Sequence, residues 1–325
     1  MKVVFFHRNK SVGYSINKVT QTIVRNVLPK QECYAPFAGA SFRSIIRNLF
    51  FVWKMRDRNA INHITGDIHY CMLALIGCKS VLTIHDTVTL DFCHMSKYKS
   101  LIIEWLWFRL PLIISTKVVC ISEETRRQVQ KYTNRDDIEV IHNAVDPIFE
   151  YSPPHFSEDV SKILLIGTSQ NKNLIRTFEA LRDLKCKVTI IGELNDCQKK
   201  ALQEYHIDYV NKVGLSDEQL VNEYKKCDIV SFISLFEGFG MIVIEANKVG
   251  RPVICSNIPV LKEVAGDAAF FVNPFDVEEM RKGFKQLISD KTLCLNLIER
   301  GCRNVQRFDV EVIQQKWENL YTSII

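Results

Sequence analysis

The stretch DIVSFISLFEGFGMIVIEA, residues 228–246, changes its patterning within a few positions. Asp228 to Ile233 is a short run rich in Val and Ile, as expected of a strand buried on both faces. Between this run and a predicted helix that begins near Met241 lies a loop with two glycines, Gly238 and Gly240, flanking Phe239. Glycine lets backbone approach a ligand closely. The helix start offers unpaired N–H groups and a positive dipole end, a setting that welcomes a phosphate. Glu237 stands in the loop ahead of the helix and Glu245 about one turn into it. Two carboxylates therefore line the carboxyl end of a predicted strand, where ligands of open α/β sheets bind.

Outward from this stretch, the same alternation covers the chain. Short Val/Ile-rich runs predict strands at residues 2–6, 61–65, 80–84, 117–121 and 138–141, then at 162–166, 187–191, 228–233, 252–255 and 268–272, with longer amphipathic stretches between them. Two Rossmann-like α/β/α units in series follow. A length of 325 residues suits two domains, because single cores stop growing at about 250–300 residues. The Pro-rich, polar segment 151–159 disfavours both helix and strand and reads as the linker. The expected division is 1–152 and 153–308. A terminal helix over 309–325, with Val310, Ile313, Trp317, Leu320 and Tyr321 at helical spacing, is expected to pack back on the first domain.

Composition is that of an ordinary globular enzyme, 47% hydrophobic and 24% charged. Residues 1–150 hold 20 Lys and Arg against 13 Asp and Glu, and residues 151–325 hold 22 against 24, so the excess of positive charge lies in the first half. Such a half suits an anionic partner, a phosphate group or a membrane surface, and equally a solvated basic face. Eleven cysteines without a Cys-x-x-Cys pair fit a reducing compartment better than a disulfide framework or a zinc site. The apolar run before His7 is too short for a signal-peptide core. The tract 101–116 is interrupted by Glu104, Arg109 and Pro111, and so falls short of a membrane span. A cytoplasmic protein is expected, with no nucleic-acid partner.

Two enzyme classes are disfavoured by missing motifs. Gly238 and Gly240 are followed by Val243 where a dinucleotide fingerprint needs a third glycine. No Asp-x-Asp occurs, which disfavours a transferase that grips diphosphate through a carboxylate-bound metal.

The spacing of eight between Glu237 and Glu245 around Gly-Phe-Gly resembles the Glu-x7-Glu motif of retaining glycosyltransferases of the GT-B fold, particularly glycosyltransferase family 4. Further segments are similar to those of the family and come in its order: TIHD (83–86), VCISEET (119–125), VIHNAVD (140–146), GTSQNKN (167–173), GLSDEQL (214–220) and GRPVICS (250–256). Together they cover roughly residues 80–290.

The resemblance implies a fold of two Rossmann-like domains facing across a cleft, with an acceptor side formed by residues 1–152 and a donor-binding domain by 153–308. It implies metal-independent, retaining transfer of a hexose from a nucleoside-diphosphate sugar to a glycan or lipid-linked saccharide, and in the family's habit a role in bacterial surface polysaccharide such as O-antigen. No cofactor beyond the donor is expected. Carried over by position, Glu237 would hold the donor sugar's hydroxyls, Glu245 the ribose hydroxyls, and Lys172 the diphosphate as charge builds on it. His85 would face the anomeric carbon, Gly13 would lie in a loop on the cleft, and backbone near Val213 and Gly214 would meet the base. Thr168, Gly238, Phe239, Gly240 and Met241 complete the donor set. Thr168 stands where the family often has an arginine, so a second cationic contact to the diphosphate is missing at that position.

Ordinary readings stand beside these: the glutamates as helix-start and surface carboxylates, Lys172 as a solvated loop lysine, His85 as a structural histidine at a strand end, Gly13 as a turn residue. An inactive sugar-nucleotide-binding module, or an epimerase or hydrolase of the same fold, is the alternative function. The stretch 42–58 interleaves Arg43, Arg47, Lys54, Arg56 and Arg58 with Phe42, Ile45, Ile46, Leu49, Phe50, Phe51, Val52 and Trp53. It reads either as a peripheral contact with the inner face of the cell membrane or as a helix with its apolar face in the core.

Overall fold

The computed structural model describes residues 2–11, 14–24, 29–39, 41–87 and 97–324. These residues fall into two compact units, one of 1–144 with 310–325 and the other of 145–309.

The first unit is built on a parallel six-stranded sheet, with β1 Val3–His7, β2 Lys30–Tyr34, β3 Ile61–Ile64, β4 Ser80–Ile84, β5 Lys117–Cys120 and β6 Ile138–Val140 in the order β2-β1-β3-β4-β5-β6. All five residues of β1 are buried because both faces of the sheet are covered. Successive side chains point to opposite faces. Val4 and Phe6 accordingly join Val52, Leu75 and Leu112 on one side, while Val3 and Phe5 join Ile313, Trp317 and Tyr321 on the other. The second cluster accounts for the C-terminal helix Val310–Thr322, whose four buried residues are Ile313, Trp317, Leu320 and Tyr321. Each such large side chain taken from water contributes about 1.5–3 kcal/mol. The Tyr321 hydroxyl also meets His63 Nδ1 at 2.8 Å, so the chain end is held by packing and by a buried hydrogen bond.

The second unit repeats the plan, with β7 Ser161–Ile166, β8 Cys186–Ile191, β9 Tyr209–Lys212, β10 Ile229–Phe232, β11 Val253–Ser256 and β12 Phe270–Val272, all parallel in the order β12-β11-β10-β7-β8-β9. In both sheets the strand order reverses beside the first strand, between β1 and β3 and between β7 and β10.

Ten strands lie where the Val/Ile runs predict them. The two that the runs do not predict, β2 and β9, are both edge strands. Their sequences, KQECY and YVNK, keep most positions partly or fully exposed, and a strand paired on one side only does not need a continuous apolar run.

The compact units divide a few residues before the expected division at 152 and 153, and the segment 151–159 bonds to the second unit. Ser152 N–H donates to the Val249 carbonyl at 3.1 Å, Arg251 Nη1 donates to the Ser152 carbonyl at 2.8 Å, and Ser157 N–H donates to Asp228 Oδ1 at 3.0 Å. The segment is thus tied into the second unit, and the break falls earlier, at Ala144 and Val145. Proline stops regular structure without freeing the chain, because side chains and carbonyls of neighbouring segments take up its polar groups.

Candidate active site

Apart from Val213 and Gly214, the residues singled out in the second unit gather on the segments that follow β7 and β10, the two strands that flank its order reversal. After β7 the chain makes a 3-10 turn, Gln170–Lys172, and passes through Asn173 in the left-handed region, φ 56°, into the helix Leu174–Leu181. Asparagine tolerates that conformation better than most residues. Its side chain then anchors the turn by donating to the Pro274 carbonyl at 2.7 Å.

The turn aims Lys172 back across its own strand end. A Cβ on Gly167, itself at φ 87°, would lie 3.0 Å from Lys172 Cε, so a larger residue there would crowd the lysine stem. The Lys172 ammonium donates to Glu237 Oε1 at 2.6 Å and sits 4.6 Å from the centroid of the Phe232 ring. Both partners are largely shielded, with side chains 17% and 14% exposed. Asn171 stitches the two loops together: its Nδ2 donates to the Phe236 carbonyl at 3.0 Å and to Glu237 Oε1 at 3.3 Å, and its carbonyl accepts from Leu235 N–H at 2.7 Å.

Beyond Glu237 the loop carries Gly238 and reaches Gly240, at φ 118°, which precedes the helix Met241–Val249 with no side-chain cap. A Cβ on Gly240 would approach Leu261 Cδ2 to 2.6 Å, so glycine is required by conformation and by space. Met241 is partly exposed at the first helical position, while Phe239 turns its ring into the core, edge-on to Phe308 at 5.8 Å. Phe239 can therefore offer a ligand only its main chain. Glu245, partly exposed on the same helix, accepts a hydrogen bond of 2.6 Å from Tyr224 on the helix Asp217–Lys226. Burial, followed by the Glu245 charge, pushes the Tyr224 phenol well above its ordinary value, so it remains a donor.

Thr168 lies beside Lys172 in sequence but is taken up with packing. A Cβ on Gly192 would meet its side chain at 3.0 Å, and its carbonyl accepts from Gln198 Nε2 at 2.7 Å. Val213 and Gly214 stand apart at the end of the edge strand β9, three places from β10 in the sheet, roughly 14 Å by strand spacing. Val213 is 59% exposed. His85 belongs to the first unit, at the end of β4, where its Nε2 meets the Thr65 carbonyl at 2.8 Å. Burial lowers its pKa. Gly13 lies outside the described residues.

Sequence reasoning passed over Asn171, Phe232 and Tyr224. Asn171 falls inside the quoted 167–173 segment, but its bonding across to residues 235–237 has no local signal. Tyr224 has none either, since it meets Glu245 from a different helix.

A glycine loop, an uncapped helix start and a lysine–carboxylate pair thus stand together at a sheet's order reversal, the position where open α/β sheets bind ligands. Family comparison identifies the protein class. Residues 3–149 match the model of Glycosyltransferase Family 4, and residues 153–303 match that of Glycosyl transferases group 1. The chain is a family 4-like glycosyltransferase of the GT-B fold. It is 26% identical over 245 residues to the O-antigen chain mannosyltransferase RfbU of Salmonella typhimurium, covering 71% of this chain and 67% of that one. It is 32% identical over 127 residues to O-antigen chain mannosyltransferase B of Escherichia coli; that match spans 39% of this chain and 31% of the relative, less than a third of its length. The crystal structure of Anabaena HepE in complex with UDP and glucose superposes on this glycosyltransferase with a TM-score of 0.76 at 15% identity, covering 98% of this chain and 99% of that one. Among the described residues of the glycosyltransferase, no helix is long and apolar enough to cross a membrane.

Proposed function

We propose that this glycosyltransferase moves a hexose, with retention of configuration, from a nucleoside-diphosphate sugar to a glycan or lipid-linked saccharide in the synthesis of a surface polysaccharide such as O-antigen. The observation that carries the reading is the 2.6 Å contact between Lys172 and Glu237 at the carboxyl ends of two neighbouring strands, beside the Gly240 helix start. The O-antigen mannosyltransferases among its relatives favour mannose as the sugar.

In this reading the pair keeps two charges mutually neutralised before the donor arrives. On binding, Glu237 accepts from sugar hydroxyls, and the Lys172 ammonium shifts to the diphosphate together with the dipole of the Met241–Val249 helix. Glu245, oriented by Tyr224, accepts from the ribose diol. The bond from the anomeric carbon to the diphosphate loosens first. The acceptor oxygen then bonds to the same face, its proton passing to the departing phosphate oxygen. Lys172 counters charge that peaks on the leaving group in the transition state, which is where such a contact accelerates the reaction.

The test is incubation with a panel of nucleotide sugars, GDP-mannose among them, following free nucleoside diphosphate with and without saccharide acceptor. Acceptor-dependent release supports transfer. Release that ignores every acceptor indicates a hydrolase, conversion of the sugar without release an epimerase, and nucleotide binding without turnover an inactive module.

A second feature concerns where the acceptor is met. The helix Phe42–Met55 has apolar residues on two faces. Ile45, Leu49 and Val52 pack into the core. Phe42, Ile46, Phe50 and Trp53 are 78%, 48%, 62% and 53% exposed. At about 100° per residue these four share an arc of about 80°, with Arg43, Arg47 and Lys54 along its flank. We propose that this face rests on an anionic lipid surface, as an apolar stripe edged with basic residues is suited to do.

A further inference from the structure

Glu237 is gripped by two side chains, and both hold the same oxygen. Lys172 Nζ donates to its Oε1 at 2.6 Å, and Asn171 Nδ2 donates to that atom at 3.3 Å. Glu237 Oε2 receives no hydrogen bond from a described residue, and it is not one of the sealed side-chain atoms that lack a partner. The carboxylate therefore turns one oxygen to the protein and keeps the other open, with its lone pairs free. An ionised carboxylate only accepts, so the open oxygen suits a group that donates, as a hydroxyl does.

The two donors differ in what can move them. A lysine ammonium is a point charge on a flexible four-carbon stem, free to leave Oε1 for a stronger anion. The Asn171 amide is short, planar and fully committed. Its Oδ1 accepts from Ser169 Oγ at 2.6 Å, and its Nδ2 donates to the Phe236 carbonyl at 3.0 Å as well as to Glu237. Turning the amide over would set Oδ1 against the Phe236 carbonyl and the Glu237 carboxylate, acceptors facing acceptors, so its orientation is fixed. The Asn171 carbonyl adds a third tie, accepting from Leu235 N–H at 2.7 Å. The loops after β7 and β10 are thus joined at residues 235, 236 and 237 in succession.

We infer that Asn171 is a positioning residue for the transfer: it holds Glu237 Oε1 on the protein side so that Oε2 meets the donor sugar's hydroxyls, and it keeps that aim when Lys172 turns to the diphosphate. A carboxylate held by Lys172 alone would lose its orientation at the moment the donor draws the ammonium away. Asn171, whose other bonds run to Ser169, Leu235 and Phe236 and not to the ligand, stays in place. Contacts preset in this way cost no reorganisation during the reaction. The inference rests on the proposed transfer from a nucleoside-diphosphate sugar, and it adds the residue that orients the sugar-binding carboxylate.

The test titrates the full chain calorimetrically with GDP and GDP-mannose and with UDP, UDP-glucose and UDP-N-acetylglucosamine, comparing the wild type with Asn171→Ala, Glu237→Gln and the double variant. For the donor that the wild type consumes, Asn171→Ala should bind the nucleotide sugar about tenfold more weakly, for a charged hydrogen bond no longer aimed, and bind the matching nucleoside diphosphate as the wild type does. In the Glu237→Gln background, Asn171→Ala should cost nothing further. Equal weakening toward both ligands would mean that Asn171 only holds the loops together, and it would overturn the inference, as would unchanged sugar-nucleotide binding or additive losses. Without ligand, the Glu237 carboxyl carbon followed by NMR should titrate higher by about one pH unit or more in Asn171→Asp, which sets a second carboxylate beside it, and an unmoved midpoint would also overturn the inference. Failure of the proposed transfer shows differently: a wild type that consumes no nucleotide sugar refutes that reading by itself, while the NMR titration still decides whether Asn171 orients Glu237.

Discussion

Tyr224 donates its phenolic hydrogen to the Glu245 carboxylate at 2.6 Å, and the ring that makes this bond is fully buried edge-on to Phe149. Glu245 is therefore oriented by a donor that cannot swing away. Replacing Tyr224 with Phe keeps the ring and deletes the bond. The expected result is a nucleoside-diphosphate Kd raised about tenfold, for roughly 1.5 kcal/mol of a charged hydrogen bond. Calorimetric titration checks it, and an unchanged Kd would remove Glu245 from the nucleotide site.

Lys172 and Glu237 should behave as a unit. Lys172→Ala and Glu237→Gln are each expected to lower turnover by about a hundred- to thousandfold, the roughly 2.7–4 kcal/mol that a preorganised charge contact commonly supplies. In denaturant unfolding, each single change leaves one shielded charge unpaired, whereas the double change leaves none. A double-mutant cycle should accordingly give a coupling of about 0.5–3 kcal/mol, and additive effects would mean the contact does not persist in solution.

Arg251 is 1% exposed and donates to five main-chain carbonyls, those of Cys227, Ser152, Val249, Gly250 and Lys225. It ties residue 152 to the carboxyl ends of the helices that finish at Lys226 and Val249. Arg251→Met should lower the free energy of unfolding by at least about 1–3 kcal/mol, because buried carbonyls are left without their donor. A midpoint in urea close to that of the wild type would contradict this.

The first unit buries histidines that must stay neutral. Desolvation lowers His63 to about 3 and His7 to about 4, and it moves His69 and His85 in the same direction. In the unfolded chain a histidine titrates near 6.5. The unfolded state thus binds more protons, and the stability these groups contribute is complete above about pH 6.5 and is lost as pH falls toward 4. His63 and His7 alone predict a fall that steepens from about 1.4 kcal/mol between pH ~7 and ~6 to about 2.4 kcal/mol between pH ~6 and ~5. Urea unfolding at pH about 7, 6 and 5 measures the slope, and a flat profile would show that water reaches these rings.

For the helix Phe42–Met55, the double substitution Phe50→Ser and Trp53→Ser should abolish retention on anionic liposomes at low salt while leaving the melting temperature near that of the wild type. Each exposed ring that enters lipid contributes about 1.5–3 kcal/mol, so losing both lowers partition at least a hundredfold. A wild-type protein that such liposomes fail to retain would end the proposal.

The parallel strands were legible because a strand covered on both faces must be apolar at every position, as in VVFFH of β1, whereas β2 and β9 escaped notice because an edge strand need not be. The glycine loop was legible as well. Gly240 holds a conformation and a spacing that only glycine meets, and such a requirement is written at one position. Helix Phe42–Met55 shows the limit: its composition left open which apolar residues would be buried, and the fold packs Ile45, Leu49 and Val52 into the core while Phe42, Ile46, Phe50 and Trp53 stay exposed.

From the chain of letters came the two α/β units and the carboxylates of residues 237 and 245, and from its resemblance to family 4 the lysine expected to serve with them. Folding alone decided that Lys172 and Asn171 meet Glu237 on one oxygen, that Tyr224 holds Glu245, and that the units divide at Ala144. The reason is that local patterning reports how each segment meets solvent and core, whereas which loops become neighbours depends on the order in which strands join a sheet. That order is settled by contacts between residues far apart in the chain.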